Sequence, residues 1–230
     1  MSRALITGAS AGLGEQLAIS LAARGWQLVI TGRRSQPLDG VAAGLADHTF
    51  VTAIPGNVAD AAHREALAAA VADGLDLLVN NASELGPSPL PALGQIALAD
   101  LEDIYRINVF APLALTQAVL PALRDRSGAV LNISSDAAVE PYPGWGGYGS
   151  SKAALDQISR VLGEEEAGLR VYAVDPGDMR TQMHQRAFPG EDISDRPEPA
   201  TAVPGLLKLI DQRPPSGRYR VADLLADVPA

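Results

Sequence analysis

The sequence predicts an α/β protein built on one doubly wound, mostly parallel sheet of about seven strands, with helices on both faces. Three features of the chain lead there. Short apolar runs alternate with longer segments of helical period, the pattern of repeated βαβ units. Each run is apolar at nearly every position rather than at every second one, as a strand covered on both faces must be. The first run also passes through a glycine-rich turn straight into an amphipathic helix, a place where such sheets hold anions.

Taken in order, the strand segments are Ala4 to Ile6, Gln27 to Thr31, Thr49 to Ile54, Leu75 to Val79, Ala129 to Ile133, Val171 to Val174 and Arg218 to Val221. After the first, Leu13, Leu17, Ala18 and Leu21 share a helical face, and Gly25 is placed to end that helix. Asp60 to Asp73 repeats the pattern through Leu67 and Val71, and Asp100 has the side chain of a good N-cap for the long helix that follows. The proline-bearing stretches 86–91 and 188–204 interrupt the alternation without separating two balanced halves, so both read as loops and residues 1–230 as one domain. The acidic run Glu164 to Glu166 reads as a solvated helix face.

Charge and composition exclude several classes of function. The chain carries 18 basic and 27 acidic side chains, a formal net charge of −9 that repels a phosphate backbone, so nucleic acid is not an expected partner. With no cysteine there is no disulfide, thiolate metal site or cysteine nucleophile. His48, His63 and His184 lie far apart in the sequence, and no metal is expected. No run of 18 or more apolar residues is present, and a strand-like segment begins within three residues of Met1. The expectation is a cytoplasmic protein with neither membrane span nor signal peptide. Asn81-Ala82-Ser83 and Asn132-Ile133-Ser134 match the glycosylation acceptor, but both directly follow apolar runs and read as half buried.

The glycine-rich turn runs Thr7, Gly8, Ala9, Ser10, Ala11, Gly12, Leu13, Gly14. Gly8 permits a tight turn, Gly12 lets backbone amides approach a pyrophosphate, and Gly14 lets the helix pack closely on the strand. The second strand of such a unit ends with an acid when the ligand is NAD, whereas here it ends Thr31, Gly32, Arg33, Arg34. Two guanidinium groups where a 2′-phosphate would sit argue for NADP; the plain alternative is two solvated arginines in a turn. The stretch Gly8-Ala9-Ser10-Ala11-Gly12 also fits the G-x-S-x-G nucleophile elbow of serine hydrolases. That reading would need Ser10 as nucleophile, His184 as its distant histidine and an oxyanion loop for which the chain leaves no room.

Tyr148 and Lys152 are four apart at the start of a helical segment, which places them on one face a turn apart. A cation there favours phenolate and lowers a tyrosine from its ordinary value of about 10, preparing it to exchange a proton with a carbonyl or alcohol oxygen. Alone, such a spacing is more often a surface pair. Upstream, Ser134 and Ser135 follow the strand Ala129 to Ile133, at the carboxyl end where open α/β sheets bind ligands.

With those residues in place, the chain resembles a short-chain dehydrogenase/reductase of the single-domain NAD(P)-binding branch, from Ala4 to about Asp223. The glycine motif matches Thr7 to Gly14, the tyrosine and lysine match Tyr148 and Lys152, and the serine thirteen positions before the tyrosine is Ser135. The helix asparagine falls on Asn108. The Asn-Asn-Ala-Gly motif appears as Asn80, Asn81, Ala82, Ser83, with serine for glycine. The Pro-Gly turn and its later threonine match Asp175, Pro176, Gly177 and Thr181, and the position that often contacts adenine is Asn57, next to Val58.

The resemblance implies a Rossmann-type fold and hydride transfer between a nicotinamide, NADP(H) favoured over NAD(H), and a small carbonyl or alcohol substrate. It implies Tyr148 as proton donor or acceptor, Ser135 on the substrate oxygen, Lys152 on the nicotinamide ribose and tuning Tyr148, and Asn108 in a proton relay. The implied cofactor contacts are Thr7, Gly8, Ser10, Gly12, Leu13, Gly14, Arg33, Arg34, Asn57, Val58, Asn81, Ala82, Tyr148, Lys152, Pro176, Gly177 and Thr181, the last on the carboxamide. A homodimer or homotetramer is expected.

Pro112 lacks the N–H that would bond the Asn108 carbonyl, so a kink is expected to turn that carbonyl and the side-chain amide toward Lys152; alternatively Pro112 begins a new helix that Asn108 caps. The polar segment 182–204 is the expected substrate lid, with Tyr142, Trp145, Met179, Met183 and His184 as pocket residues and Asp136 and Glu140 placed to meet a polar or cationic substrate. A second class stays open: a non-catalytic NADP-binding sensor on the same fold.

Overall fold

The computed structural model describes residues 1–226; the last four residues of the expected domain, 227–230, lie outside the described residues. Seven strands form one all-parallel sheet, ordered β3-β2-β1-β4-β5-β6-β7. They are β1 (Arg3–Thr7), β2 (Gln27–Thr31), β3 (Val51–Ala53), β4 (Leu77–Asn80), β5 (Ala129–Ile133), β6 (Arg170–Asp175) and β7 (Gly217–Arg220). The order reverses between β1 and β4, which opens a crevice beyond their carboxyl ends.

Several strand ends differ from the sequence expectation. At β3 the amide of Thr49 still bonds the Leu45 carbonyl at 3.2 Å, so the preceding helix turn holds the chain out of the ladder until Val51. At β4 the amide of Leu75 bonds Ala122 O at 3.0 Å, outside the sheet, while Asn80 pairs with Asn132 and lengthens the other end. Val221 leaves the sheet to begin a helix.

The helices are α1 (Gly12–Ala22), α2 (Ser35–Leu45), α3 (Ala61–Ala70), α4 (Leu98–Tyr105), α5 (Ala111–Asp125), α6 (Gly146–Glu165), α7 (Gln182–Ala187), α8 (Val203–Gln212) and α9 (Val221–Ala226). Helix α2 escaped the sequence reading because Pro37, Gly40 and Gly44 dilute its period; only Leu38 and Leu45 are buried. Asp100 does not cap α4. The Ala97 carbonyl already accepts from Leu101 N at 3.1 Å, so the cap is Ala97, and Asp100 stands in the first turn, where the helix dipole favours an acid. The expected loop 188–204 ends early, in a 3-10 turn at Pro199–Ala202 that runs into α8, because Pro199 and Pro204 occupy first-turn positions that need no N–H.

Between α4 and α5 the chain does not restart as a new helix at Pro112. Residues Arg106–Phe110 widen into a π-turn, with Ala111 N bonded to Arg106 O, and the extra residue absorbs the proline. Leu98–Asp125 is thus continuous over 28 residues and, on average, long and apolar enough to cross a membrane. Half of that apolar window is buried, with Leu115, Val119 and Leu123 covering the sheet, so its apolarity serves a core.

Alternate strand residues feed two cores. Ala4, Ile6, Leu28 and Ile30 face Leu13, Leu17 and Leu21 of α1 and Leu206 and Leu209 of α8. Leu5, Val29, Leu78, Val130 and Val171 face Leu67 of α3 and the apolar face of α5. Inside this apolar sandwich lies a polar chain: Asn80 Nδ2 donates to Thr116 Oγ1 (3.3 Å) and Asn132 Oδ1 (2.8 Å), and Asn132 Nδ2 donates to Ser159 Oγ (2.8 Å). Asn132→Leu, close in volume, strips partners from Asn80 and Ser159 and is expected to cost on the order of 1–3 kcal/mol. A urea titration reads this as a lower midpoint; an unchanged midpoint would mean the network adds nothing.

Candidate active site

The turn after β1 is held by side chains from β4. Thr7 Oγ1 accepts from Asn81 N and Ala82 N, both at 3.0 Å, and Asn81 Nδ2 donates to Thr7 O (2.9 Å) and Gly8 O (3.0 Å). Gly8 has φ +67, and a Cβ there would lie 2.8 Å from Asn81 Nδ2 and 2.9 Å from Ala82 Cα. At Gly14 a Cβ would stand 2.5 Å from Gly8 O, so only glycine lets α1 start against this turn. Gly12, at φ +62, opens instead on free space, with Thr181 Cγ2 the nearest atom at 3.6 Å.

A cavity of about 1140 Å³ lies over the α1 N-terminus. Its wall includes Gly8, Ser10, Gly12, Leu13, Arg33, Arg34, Asn57, Val58, Asn81, Ala82, Ser135, Tyr148, Lys152, Pro176, Gly177 and Thr181, as well as Tyr142, Trp145, Met179, Met183, His184 and Asp136. Four expected residues do not line it. Thr7 and Gly14 hold the turn from behind, Asn108 is buried behind the 83–84 backbone, and Glu140 faces solvent.

At one end, Ser10 sits against Gly32, the Asn57 side chain accepts from Ala59 N at 3.0 Å, and Arg33 reaches Glu84 at 3.4 Å. At the other, Tyr148 and Lys152 are buried on one face of α6. Ser135 Oγ donates to Asp136 Oδ1 at 3.0 Å and accepts from Ala137 N at 3.2 Å. Lys152 Nζ donates to Ile133 O at 2.8 Å and lies 5.4 Å from the Tyr148 ring centroid.

Burial drives both groups toward their neutral forms. The Tyr148 phenol is pushed well above its ordinary value, first by desolvation and further by Asp136 and Asp175, while the Ser83 and Ser135 hydroxyls pull it back. Lys152 is lowered to about 8 by desolvation, against the charge of Asp156. The expected depression of the tyrosine by its lysine is therefore reversed here: the cost of a buried phenolate outweighs a cation committed to the Ile133 carbonyl.

The side-chain amide of Asn108, as distinct from its main-chain carbonyl, is also placed differently from expectation. Its Oδ1 accepts from Ser83 Oγ (3.1 Å) and Glu84 N (2.7 Å), and its Nδ2 donates to Glu84 O (2.8 Å) and Ser151 Oγ (2.9 Å). With its side-chain amide fully engaged, it clamps the 83–84 backbone to α6 rather than turning toward Lys152.

Comparison with known proteins fits this geometry. The family described as short chain dehydrogenase matches residues 2–192. The chain belongs to that family. It is 38% identical over 185 residues to serine 3-dehydrogenase of Agrobacterium fabrum, covering 78% of this chain and 72% of that one. Among solved structures it is similar to the oxidoreductase yciK from E. coli (TM-score 0.89, 30% identity, 95% and 93% covered). It is likewise similar to a short chain dehydrogenase from Shigella flexneri complexed with NADP (TM-score 0.88, 28% identity, 96% and 97% covered).

As a short chain dehydrogenase the protein is an oxidoreductase, and the hydrolase reading of the elbow falls. Ser10 lies beside Gly32, while His184 is engaged by Arg196 Nε at 3.3 Å and by Asp178 at 3.8 Å. The structure adds residues the sequence did not single out. Arg218 of β7 donates to Asp156 Oδ2 (2.9 Å) and to the Ser135 carbonyl (3.0 Å), which ties α6 to the end of β5. Asp156 was legible as the next step of the 148, 152 spacing; Arg218, contributed by a distant strand, carried no local signal. Ser134 and Ser135 both line the cavity, and Ser134 Oγ is buried without a hydrogen-bond partner.

The lowered lysine makes a stability prediction with a definite sign. Lys152 binds its proton less readily in the folded chain, so stability rises with pH between about 8 and the ordinary lysine range of about 10.4. Lys152→Met is expected to melt higher than the parent at pH 7, and the gap should narrow as pH approaches 10. A gap constant with pH in thermal melts would contradict a charged, desolvated Lys152.

Proposed function

We propose that this oxidoreductase transfers a hydride between NADP(H) and the carbonyl or alcohol carbon of a small molecule, with Tyr148 moving the proton. The observation that carries the reading is the sharing of one cavity by the α1 N-terminus and its glycine turn, at one end, and by Ser135, Tyr148 and Lys152 at the other. The turn suits a dinucleotide: Gly8 and Gly12 adopt positive φ, a side chain on Gly8 would collide with Asn81 and Ala82, and α1 presents its free amides. When bound, the nicotinamide supplies or accepts the hydride.

The backbone at Gly8, Ser10, Gly12 and Leu13 receives the pyrophosphate, and Arg33 and Arg34 receive the 2′-phosphate. Asn57 and Val58 flank the adenine, while Asn81, Ala82, Lys152, Pro176, Gly177 and Thr181 surround the nicotinamide riboside, with Thr7 and Gly14 holding the turn from behind. Support for NADP comes from the absence of an acid at the end of β2 and from the NADP held by the Shigella relative. Ser135 Oγ holds the substrate oxygen, Tyr148 gives or takes its proton, Lys152 fixes ribose hydroxyls beside the phenol, and Asn108 is a positioning residue for the 83–84 backbone.

The segment 182–204 acts as the substrate lid. It is tied to the rest of the site by Arg186 to Glu84 (3.2 Å) and by the ion pair of Glu198 with Arg180. Leu98 and Phe110, exposed along the α4–α5 stretch, support a homodimer or homotetramer.

Two measurements test this reading. Tyr148→Phe should keep NADPH binding and lose turnover by about 10²-fold or more, as expected for a lost general acid; near-normal turnover would sink the assignment. Arg33→Ala should lower the NADPH to NADH ratio of kcat/KM by the equivalent of about 1.5–3 kcal/mol, a charge-assisted phosphate contact. An unchanged ratio would remove Arg33 as selector.

A further inference from the structure

The substrate end of the cavity has a wall and a charge pattern of its own. Trp145 meets Tyr148 edge-on at 5.7 Å between ring centroids, Phe188 follows Trp145 at 6.0 Å, and His184 follows Phe188 at 4.9 Å. These rings come from the start of α6 and from α7 and the residue that follows it, and Leu85 and Met183 fill the gaps between them. All of them line the cavity.

The cations near this wall are already spent. Lys152 donates to the Ile133 carbonyl, and Arg180 is paired with Glu198 on the same cavity wall. Arg186 is held by Glu84 (3.2 Å) and by Gly86 O (2.8 Å), and Arg196 by Asp195 (2.5 Å), Asp178 (3.6 Å) and His184. Arg33 and Arg34 belong to the far end, beyond the glycine turn, where the 2′-phosphate is placed. The same cavity is lined by the carboxylates Asp136, Asp175 and Asp178, the last beside His184 at 3.8 Å and Arg196 at 3.6 Å. Asp136 accepts hydrogen bonds from Ser135 Oγ, Ala137 N and Tyr142 Oη and has no ion-pair partner among the described residues. Asp175 accepts from Gly177 N at 2.9 Å and has Arg218 and Arg220 at 3.7 and 3.9 Å.

We propose that the substrate of this site is a planar aromatic carbonyl compound, or the matching alcohol, that carries no anionic group. The proposal rests on the oxidoreductase reading above and gives its substrate class. Aromatic rings settle edge-to-face or offset-stacked at centroid spacings of about 4.5–7 Å, and the row from Tyr148 to His184 already keeps that spacing, so a substrate ring beside Tyr148 extends it. A saturated ring fills the same volume without the quadrupole. A carboxylate or phosphate brought to the same place meets several like charges within a partly desolvated pocket and, among the described residues, no cation without a partner: Lys152 is held on the Ile133 carbonyl and Arg180, Arg186 and Arg196 on acids. In the reductive direction the carbonyl π bond opens, the carbon gains the hydride from NADPH, the oxygen takes the Tyr148 proton, alcohol and NADP+ leave, and a proton from solvent restores the phenol.

The experiment compares three methyl ketones with the full chain and NADPH: acetophenone, 4-acetylbenzoate and cyclohexyl methyl ketone. Acetophenone is expected to exceed each of the others at least tenfold in kcat/KM. Phe188→Leu, with NADPH affinity checked as a folding control, should shrink the advantage over the cyclohexyl ketone several-fold. In parallel, quenching of Trp145 fluorescence in a Trp26→Phe background reads binding of the same three compounds to the NADPH-loaded protein. Acetophenone bound in preference to the others but not reduced upholds the substrate pocket and overturns the reductase. Equal handling of 4-acetylbenzoate, or of the cyclohexyl ketone, overturns the substrate class and leaves the reductase standing. Absence of both binding and turnover of acetophenone overturns the proposal.

Discussion

Everything at the carboxyl end of this sheet depends on how closely the turn after β1 approaches the end of β4. The Asn81 side chain bonds the carbonyls of Thr7 and Gly8, and Thr7 returns its hydroxyl to the amides of Asn81 and Ala82. Four hydrogen bonds between two loops leave no space for a side chain at Gly8 or Gly14. This contact sets where α1 begins, and hence where its free amides point. It also fixes the start of the segment that carries Ser83 and Glu84 toward Asn108. A crevice that parallel topology merely permits becomes, through these bonds, a cavity of definite shape.

The other end of the cavity is fixed by polar groups placed where an apolar core would be simpler. Asn108 clamps the 83–84 backbone to Ser151, and Asn80, Asn132, Thr116 and Ser159 link β4, β5, α5 and α6 beneath it. Arg218 then joins Asp156 to the Ser135 carbonyl from the far side of the sheet. Apolar packing tolerates sliding by fractions of an ångström, whereas hydrogen bonds among buried groups lose their energy when the geometry drifts. Such a frame holds Ser135, just past β5, in a fixed relation to Tyr148 and Lys152 of α6.

The fold was legible because its signals are local. Buried parallel strands write continuous apolar runs, and the glycine turn has a steric reason at each glycine. The cavity wall was legible for the same reason, since strand ends and the 148, 152 spacing are short-range patterns. Three things were hidden. The π-turn hid because a proline in a helical pattern reads as a break, and only the neighbouring bond from Ala111 to Arg106 shows how the helix absorbs it. Asn108 was legible as a residue of interest but not in its orientation, which is decided by Ser83, Glu84 and Ser151 from elsewhere in the chain. The direction of the tyrosine shift was missed because spacing gives the distance to a lysine but says nothing of the burial that outweighs it.

That burial bears on the proposed chemistry. Tyr148 is raised and Lys152 is lowered by the same cause, loss of water around each group. A phenol held above its ordinary value keeps its proton throughout the neutral range, so the resting site presents a proton donor next to Ser135 rather than a phenolate. With Lys152 near 8, its ammonium persists at neutral pH but titrates within reach of mild alkali. Reduction of a carbonyl uses the tyrosine as it stands, whereas oxidation of an alcohol must first remove a proton that the site is built to retain. On the proposed reading, acid chemistry at Tyr148 follows chiefly from desolvation, with Asp136 and Asp175 adding to it, and base chemistry requires additional positive charge close to the phenol, for which Lys152, now bonded to the Ile133 carbonyl, is the nearest source.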